Sequence, residues 1–240
     1  MSDAIPNPTD WFPPANNAAD PTGPVTLDEH LAFYRERGLY PMPTSLPNPS
    51  PWVTATTRVL TGKMPGSLWY YFYVPHRGFS AKDFRHRNLA LRTGQRFKLL
   101  AIDIDSIESG INFIRTCALP PTLLASSGQR GYHLYYRIPD EIQHIPSSHD
   151  VEARGIDIRS EFSYVTAPPS LHGHGTRYRF INPTHPIAVL PLPAARHLRD
   201  CGLSQYRHLR KFLRNYRIIK GREIQDFFHY GLLRRPKPDA

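Results

Sequence analysis

Cysteines and long apolar stretches are both scarce in this sequence. Only two of its 240 residues are cysteines, Cys117 and Cys201, and no C-x-x-C pair occurs. This excludes a disulfide framework and a cysteine-rich zinc site. No stretch of 18 or more apolar residues could span a membrane, and the first residues lack the apolar segment of a signal peptide. We therefore expect an intracellular, cytoplasmic protein that makes no membrane contact.

A Walker A motif, G-x-x-x-x-G-K-[ST], is also absent, so the sequence gives no sign of an ATPase helicase. Acidic residues are scarce in residues 196–240, which hold 12 of the 30 Lys and Arg but only 4 of the 20 Asp and Glu. This segment therefore carries +8 of the net charge of +10. Such an imbalance predicts a nucleic-acid contact, and its alternative is an ordinary solvated basic surface.

Composition divides the chain into three segments. Residues 1–25 are rich in proline, asparagine and alanine and predict a disordered arm. Residues 26–195 form the expected folded domain, and residues 196–240 form a basic helical tail. In that tail an apolar helical face alternates with basic residues that would contact nucleic acid, namely Arg207, Arg210, Lys211, Arg214 and Arg217.

Local patterns within the folded domain predict its elements. Thr26 and Glu29 have the spacing of a capping box and predict the start of a helix. Residues 41–51 carry five prolines and indicate an irregular connection, whereas isoleucines spaced for one helical face predict a helix from Ser106 to Cys117. Residues 142–152 are polar and predict a surface loop.

Two aspartates follow a short apolar stretch near the middle of the chain. Residues 98–105 read Lys-Leu-Leu-Ala-Ile-Asp-Ile-Asp and predict a buried strand that ends in Asp103 and Asp105. Residues i and i+2 of a strand share a face, so the two carboxylates repel each other unless a cation neutralises them. Hard cations such as Mg²⁺ bind carboxylate oxygens, although two solvated acids at a strand end are the simpler alternative.

Two further stretches carry polar residues that suit phosphate chemistry. Residues 126–133 read Ser-Ser-Gly-Gln-Arg-Gly-Tyr-His, a glycine-bearing cationic turn that offers N–H groups to phosphate or forms an ordinary hairpin. Residues 155–160 place Asp157 and Arg159 in another apolar strand, and residues 164–173 follow with Pro-Pro-Ser-Leu-His-Gly at their end.

In this order, the motifs D-x-D, S-G-x-x-G-x-H and a strand-borne Asp followed by P-P-S-x-H-x-x-G resemble those of the archaeo-eukaryotic primase superfamily. The similarity is greatest to the primase–polymerase domains of plasmid and phage replication proteins, and Asn88 to Gly94 supports it. The resemblance covers residues 27–180. The second motif is longer than the S-G-G-x-H of many such domains and in this respect is more similar to the small subunit of cellular primases.

The resemblance implies an α+β fold, in which an RRM-like antiparallel sheet carries the acids and packs on an N-terminal αβ unit. It also implies template-directed nucleotidyl transfer from NTPs or dNTPs, as a DNA primase, a DNA polymerase or both, in the replication of a plasmid, phage or similar element. The expected partners are a single-stranded DNA template, a primer–template and a separate helicase.

The resemblance assigns roles to individual residues. Asp103, Asp105 and Asp157 would hold two Mg²⁺ or Mn²⁺ ions, and together with His133 they would be the catalytic residues. The residues expected to contact the incoming triphosphate are Ser127, Arg130, His133, Arg159 and His172.

Two alternatives of other classes remain open from the sequence. A non-catalytic RRM-like module would bind nucleic acid by stacking bases on Tyr135 and Tyr136, although aligned acids would repel phosphate. A metal-dependent nuclease or relaxase would need a tyrosine nucleophile beside a histidine cluster, for which His172, His174 and Tyr178 are the candidates.

Overall fold

The computed structural model describes residues 7–12, 23–46, 79–127, 131–151, 155–161, 163–173 and 175–215, the last ten as backbone only. The helices in this part are α1 (Leu27–Glu36), α2 (Ile107–Thr116) and α3 (Leu192–Asn215). The strands are β1 (Pro41–Thr44), β2 (Asn88–Arg92), β3 (Leu100–Ile104), β4 (Leu124–Ser126), β5 (Tyr132–Tyr136), β6 (Ile156–Arg159), β7 (Tyr164–Thr166) and β8 (Arg179–Phe180).

The strands form two sheets in which every paired strand is antiparallel to its neighbour. One sheet has three strands in the order β1-β2-β7, and the other has five in the order β6-β3-β5-β4-β8. Helices and antiparallel strands in one chain confirm the predicted α+β class. Strand β3 lies between β6 and β5, so it is an interior strand of the larger sheet.

The five-stranded sheet lies between two apolar cores, and successive side chains of β3 point alternately into one core and the other. Ile102 and Ile104 point into the first core, with Phe113 of α2 and Leu198 of α3. Ala101 points into the second core, which contains residues of α1, β2 and β7. Both faces of β3 are therefore covered along most of its length, which explains its nearly continuous apolar sequence.

The predicted starts of α1 and α2 are confirmed. Thr26 accepts a hydrogen bond from the Glu29 N–H, and the Glu29 carboxylate accepts one from the Thr26 N–H, which completes the capping box. Ser106 caps α2, and Cys117 ends it. In each case a polar side chain satisfies N–H groups that the first helical turn leaves without partners.

The structure differs from the sequence prediction in two proline-containing segments. Pro8–Trp11 forms a 3₁₀ helix within the predicted disordered arm, and Phe12 is buried against Tyr132 with ring centroids 5.0 Å apart. The predicted irregular connection begins with β1, which pairs with β2 at the edge of its sheet. Prolines are compatible with an edge strand because its outer N–H groups need no partner strand.

One loop and one domain boundary also differ from the prediction. The loop of residues 142–151 is not merely a surface loop, since Ile145 and Val151 are buried in the first core. Helix α3 begins at Leu192, so the predicted boundary between residues 195 and 196 falls inside a helix that is anchored by Ala195 and Leu198. Within the described residues, no helix has the length and apolarity needed to cross a bilayer.

Candidate active site

The acids of the first and third motifs meet on neighbouring strands. In the sheet register, Asp103 of β3 stands opposite Asp157 of β6 on one side and opposite His133 of β5 on the other. Directly opposed residues of antiparallel strands project to the same face about 5 Å apart. Three residues from three separate motifs therefore form one row across the sheet, which we call the acid row.

The neighbouring positions explain how this row is accommodated. Two residues before Asp103, Ala101 stands opposite Arg159 on one side and opposite Tyr135 on the other. The small side chain of Ala101 leaves room for its two large neighbours on the same face. The side chains of Asp103 and Asp157 are 20 % and 23 % exposed, so the row lies at the edge of the covered region of the sheet.

Asp105 lies just beyond the end of β3. Its N–H donates to the carbonyl of Gly155 at 3.1 Å, which keeps the chain beside β6 after the regular ladder ends. Gly155 has a φ of +65°, a conformation that glycine adopts readily, and a Cβ there would lie 3.8 Å from the Cβ of Asp105. The glycine before the third motif thus brings that motif alongside Asp105.

The Asp157 carboxylate is held by three donors. His149 Nδ1 lies 3.0 Å from Oδ2, and Arg159 Nη2 donates to the same oxygen at 2.7 Å. The Asp150 N–H donates to Oδ1 at 2.8 Å. An ionised carboxylate only accepts, so the His149 Nδ1 carries the proton of this contact.

This environment favours the charged form of Asp157. Burial, the largest single influence, disfavours the carboxylate, but the hydrogen bonds from His149 and Asp150 and the charge of Arg159 together outweigh it. The pKa of Asp157 therefore lies below its ordinary value of 3.8. Asp157 is therefore expected to be charged at neutral pH.

Arg159 balances the negative charge of the acid row. Its Nη2 lies 2.7 Å from Asp157 and 3.8 Å from Asp103. Within the described residues, no three Asp, Glu, His or Cys side chains have their ligand atoms arranged around one metal position. The donor chemistry nevertheless suits Mg²⁺ or Mn²⁺, since Asp103, Asp105 and Asp157 offer only oxygen ligands. In this conformation a guanidinium and two histidines contact the acids that a metal would need.

His133 contacts Asp103 from the other side of the row. Its Nε2 lies 3.2 Å from Asp103 Oδ1, whereas its Nδ1 is buried and has no hydrogen-bond partner. A buried ring nitrogen without a partner is uncommon, because the lost hydration is not replaced. The His133 side chain is 4 % exposed, so the polar group that its Nε2 contacts is the Asp103 carboxylate and not solvent.

Tyr178 extends this region beyond the sheet. Its ring centroid lies 5.5 Å from that of His133 and 5.8 Å from that of His172. Burial raises the pKa of Tyr178 well above its ordinary value of 10.0, and the charges of Asp103 and Asp105 raise it further. The phenol therefore stays neutral beside the acids. The Tyr178 ring thus lies between His172 of the third motif and His133 of the acid row.

The described residues of the second motif adjoin the ends of β4 and β5. The Ser127 N–H donates to the carbonyl of Gly131 at 2.9 Å. A Cβ on Gly131 would lie 2.9 Å from Ser127 Oγ and 3.2 Å from the carbonyl of Ile104, so a larger residue would crowd this close approach. Ser127 is thereby held near the end of β3. Arg130 lies outside the described residues, and its predicted role is untested.

Other motif residues hold the framework. The Asn88 side chain donates to the carbonyl of Leu171 and accepts from its N–H, at 2.7 and 2.8 Å. Ser170 Oγ accepts from the Leu89 N–H and donates to the Leu89 carbonyl, both at 2.8 Å. These bonds fasten the Pro-Pro-Ser-Leu-His segment to β2, which sets the position of His172.

Sequence reasoning missed His149 and its support. His149 lies in the predicted surface loop, and its side chain is 61 % exposed, so no apolar pattern indicated a role. Its backbone exchanges two hydrogen bonds with Gln205 of α3. The only available signal was the excess of histidines in this part of the sequence, which does not specify a partner.

Two observations weaken the alternatives. Tyr135 and Tyr136 are 0 % exposed, so they cannot stack on bases as the non-catalytic alternative requires. Tyr178 is 2 % exposed and its raised pKa keeps it protonated, so it is a poor nucleophile for a relaxase. His174 lies outside the described residues.

The predicted basic residues extend beyond the catalytic region. The positions of Arg207, Arg210, Lys211 and Arg214 lie on the backbone of α3. Arg217 lies outside the described residues. The helix that carries the basic residues is therefore continuous with the helix that packs into the first core.

The family model described as bifunctional DNA primase/polymerase, N-terminal (Prim-Pol), matches residues 76–193. This span contains the acid row, Asp105, Arg159, His149 and the loop of the second motif, and it ends within α3. A search of curated proteins returned no match.

Proposed function

This chain belongs, over residues 76–193, to the bifunctional DNA primase/polymerase family, and from that premise we propose that it adds nucleotides to a growing strand by a two-metal mechanism. The observation that carries the proposal is the acid row, in which Asp103, Asp157 and His133 from three motifs adjoin on one sheet face. An arrangement of acids next to an arginine and a histidine suits phosphoryl chemistry, in which positioning and charge stabilisation provide most of the catalysis.

The carboxylates would hold the metal ions. Asp103, Asp105 and Asp157 supply three negative charges and only oxygen donors, which suits two Mg²⁺ or Mn²⁺ ions. Such ions, when bound, stabilise the attacking and leaving oxygens of an in-line displacement. Because Arg159 contacts both Asp103 and Asp157, its positive charge competes with a metal ion for these carboxylates.

The neighbouring donors would bind the triphosphate. Arg159 can form a charge-assisted hydrogen bond to a phosphate oxygen once it leaves the carboxylates. The Ser127 hydroxyl and Arg130 are further proposed contacts from the second motif, and His172 is one from the third. His133, which is buried against Asp103, would orient that carboxylate and contribute to nucleotide use.

The biological setting is part of the proposal. The partners would be a single-stranded DNA template, a primer–template and nucleoside triphosphates, during replication of a plasmid, phage or similar element. Because no Walker A motif is present, a separate helicase would open the duplex. The basic residues of α3 would contact the DNA backbone.

The test is nucleotide incorporation by the full chain and by single acid variants. The wild type should extend a labelled primer, or start one, on single-stranded DNA with Mg²⁺ or Mn²⁺ and either dNTPs or rNTPs. Asp103→Asn, Asp105→Asn and Asp157→Asn should each reduce the rate by at least about 10²-fold, because each removes a charge needed at the metals. Asp140→Asn, an exposed acid away from the row, is the matched control.

Circular dichroism must first show that each variant is folded. Incorporation at a normal rate by Asp103→Asn would contradict the two-metal scheme. Cleavage of the template without extension would favour the nuclease alternative, and binding without either reaction would favour the non-catalytic module.

A further inference from the structure

Gln205 of α3 holds the backbone of His149 at both of its polar groups. The His149 N–H donates to Gln205 Oε1 at 3.1 Å, and Gln205 Nε2 donates to the His149 carbonyl at 2.7 Å. One side-chain amide thus pairs with one residue in the way that a neighbouring strand would. A paired donor and acceptor fix both the position and the direction of the backbone.

A second contact fixes the same loop one turn earlier on α3. A Cβ on Gly202 would lie 2.9 Å from the carbonyl oxygen of Pro146 and 3.0 Å from its Cβ. Any larger residue would push the helix away from the loop. Positions i and i+3 share a helix face, so Gly202 and Gln205 present one surface to residues 146–149.

The other side of this loop contacts the acid row. His149 Nδ1 lies 3.0 Å from Asp157 Oδ2, and the next residue, Asp150, donates its N–H to Asp157 Oδ1 at 2.8 Å. Both oxygens of Asp157 therefore contact a segment whose backbone is held by α3. A continuous series of contacts leads from Gln205 through His149 to Asp157.

We propose that Gln205 is a positioning residue of the active site, which orients the Asp157 carboxylate through His149. The inference rests on the proposed function in that Asp157 is taken to be a metal ligand. Residues that orient a metal ligand typically change metal affinity or activity by about 10- to 100-fold when removed. On this view the helix that carries Arg207 and Arg210 also supports one metal-binding carboxylate.

A simpler role for Gln205 is to anchor α3 to the domain. Ala195 and Leu198 already bury this helix in the first core, so the anchor does not depend on Gln205 alone. The two roles differ in what the substitution changes. An anchoring residue affects the free energy of unfolding, whereas a positioning residue also affects metal binding by the folded protein.

The experiment measures Mn²⁺ binding to the full chain without nucleotide, by the loss of the free-Mn²⁺ signal in electron paramagnetic resonance. Gln205→Ala should weaken Mn²⁺ affinity by about 3- to 10-fold and His149→Ala by about 10-fold or more. The double variant should lose less affinity than the sum of the two single losses, because Gln205 acts on Asp157 partly through the His149 side chain. Ser204→Ala, an exposed neighbour on α3, is the control and should bind as the wild type does.

Gln205→Glu provides a second variant that retains the acceptor for the His149 N–H but loses the donor to its carbonyl. It should fall between the wild type and Gln205→Ala, and it carries the test with His149→Ala should Gln205→Ala fail to fold. Wild-type Mn²⁺ affinity in folded Gln205→Glu and Gln205→Ala would overturn the inference. Additive losses in the double variant would do so as well.

The same titration separates this inference from the proposed function. Asp157→Ala should lose one Mn²⁺ site entirely. If it binds Mn²⁺ as the wild type does, the two-metal assignment fails, whatever the Gln205 variants show. If Asp157→Ala loses the site while both Gln205 variants retain it, only the positioning role of Gln205 fails.

Discussion

Asp103 and His133 face each other across the β3–β5 pair, with His133 Nε2 3.2 Å from Asp103 Oδ1. This contact joins the first two motifs in one row of the sheet. The ionised carboxylate only accepts, so the Nε2 that faces it carries a proton. His133 is therefore placed to fix the orientation of Asp103. Its buried Nδ1 has no hydrogen-bond partner, so the polar contact of the ring is the one between Nε2 and Asp103.

His133→Ala should reduce nucleotide incorporation by on the order of 10²-fold, because it removes a donor that is already oriented toward a charged site. Template affinity should not change, since the ring contacts Asp103 and not a surface available to DNA. Steady-state incorporation at varied nucleotide concentration, together with fluorescence anisotropy of labelled single-stranded DNA, measures the two effects.

His133→Gln is the matched variant for this prediction. Its amide nitrogen can replace Nε2 as the donor to Asp103, so it should retain more activity than His133→Ala. Loss of template affinity with an unchanged apparent nucleotide affinity would show that the assigned role is wrong.

Arg159→Ala should tighten Mn²⁺ binding while it weakens use of the triphosphate. Without the guanidinium, the Asp103 and Asp157 carboxylates lose the cation that neutralises them, so their repulsion favours a metal ion. The free energy of unfolding without metal should fall by on the order of 1 kcal/mol, because the pair is partly exposed. Mn²⁺ titration and thermal unfolding measure the two effects.

The control for Arg159 is Arg179→Ala, which removes an exposed arginine from β8 of the same sheet. It should change neither quantity. Weaker Mn²⁺ binding in Arg159→Ala than in Arg179→Ala would mean that Arg159 supports the metal site, in contradiction to the competition that the geometry indicates.

Glu161→Gln should stabilise the protein at neutral pH. Burial raises the pKa of Glu161 above its ordinary value of 4.5, although a 2.7 Å hydrogen bond from the Gln95 N–H and the nearby His144 act in the opposite direction. Because the folded-state pKa is the higher one, stability is greatest below the unfolded pKa and falls as the pH rises through the folded pKa. Glutamine removes this loss and keeps an acceptor for the Gln95 N–H.

The difference in the free energy of unfolding between Glu161→Gln and the wild type should therefore grow as the pH rises from about 4 towards 7. Urea unfolding at several pH values measures it. Glu141→Gln, an exposed acid in a nearby loop, controls for the loss of one acidic side chain. A Glu161→Gln variant that is less stable than the wild type at pH 7 would refute the argument.

Local rules predicted the parts of the site that lie on regular strands. The i and i+2 positions place Asp103 and Asp105 together, and the same rule places Asp157 and Arg159 on one face. Strand register, however, depends on the apolar packing of both cores, so the pairing of Asp103 with Asp157 and His133 could not be read from spacing alone. The prediction that these three residues share one site therefore rests on the family resemblance and not on their spacing.

The parts that were missed depend on long-range contacts. His149 reaches Asp157 from a loop whose burial rests on Ile145 and Val151, two apolar residues in an otherwise polar stretch. The change in charge places the predicted end of the folded domain at residue 195, whereas the packing of α3 into the first core continues to Leu198. Charge composition reports what a surface can attract, but it does not report where a helix begins.

We expect the basic residues of α3 to bind the template strand. Removal of residues 196–240 would be a poor test, because it cuts α3 within the first core and deletes Gln205. The better variant replaces only the basic side chains Arg207, Arg210, Lys211 and Arg214 by glutamine, which suits a helix and keeps its length.

Each basic side chain that neutralises a phosphate releases counterions, and on single strands each contact contributes about 0.7 to the negative slope of log affinity against log salt. The variant with all four glutamine substitutions should therefore bind single-stranded DNA more weakly and with a slope shallower by up to about 3.

A control with the same change in net charge replaces the exposed residues Arg35, Lys82, Arg85 and Arg87 by glutamine. If α3 contacts the template, the helix variant alone loses most of the salt dependence. If both variants lose it equally, the effect is one of net charge, and if the helix variant keeps the wild-type slope, the basic face of α3 binds something other than the template.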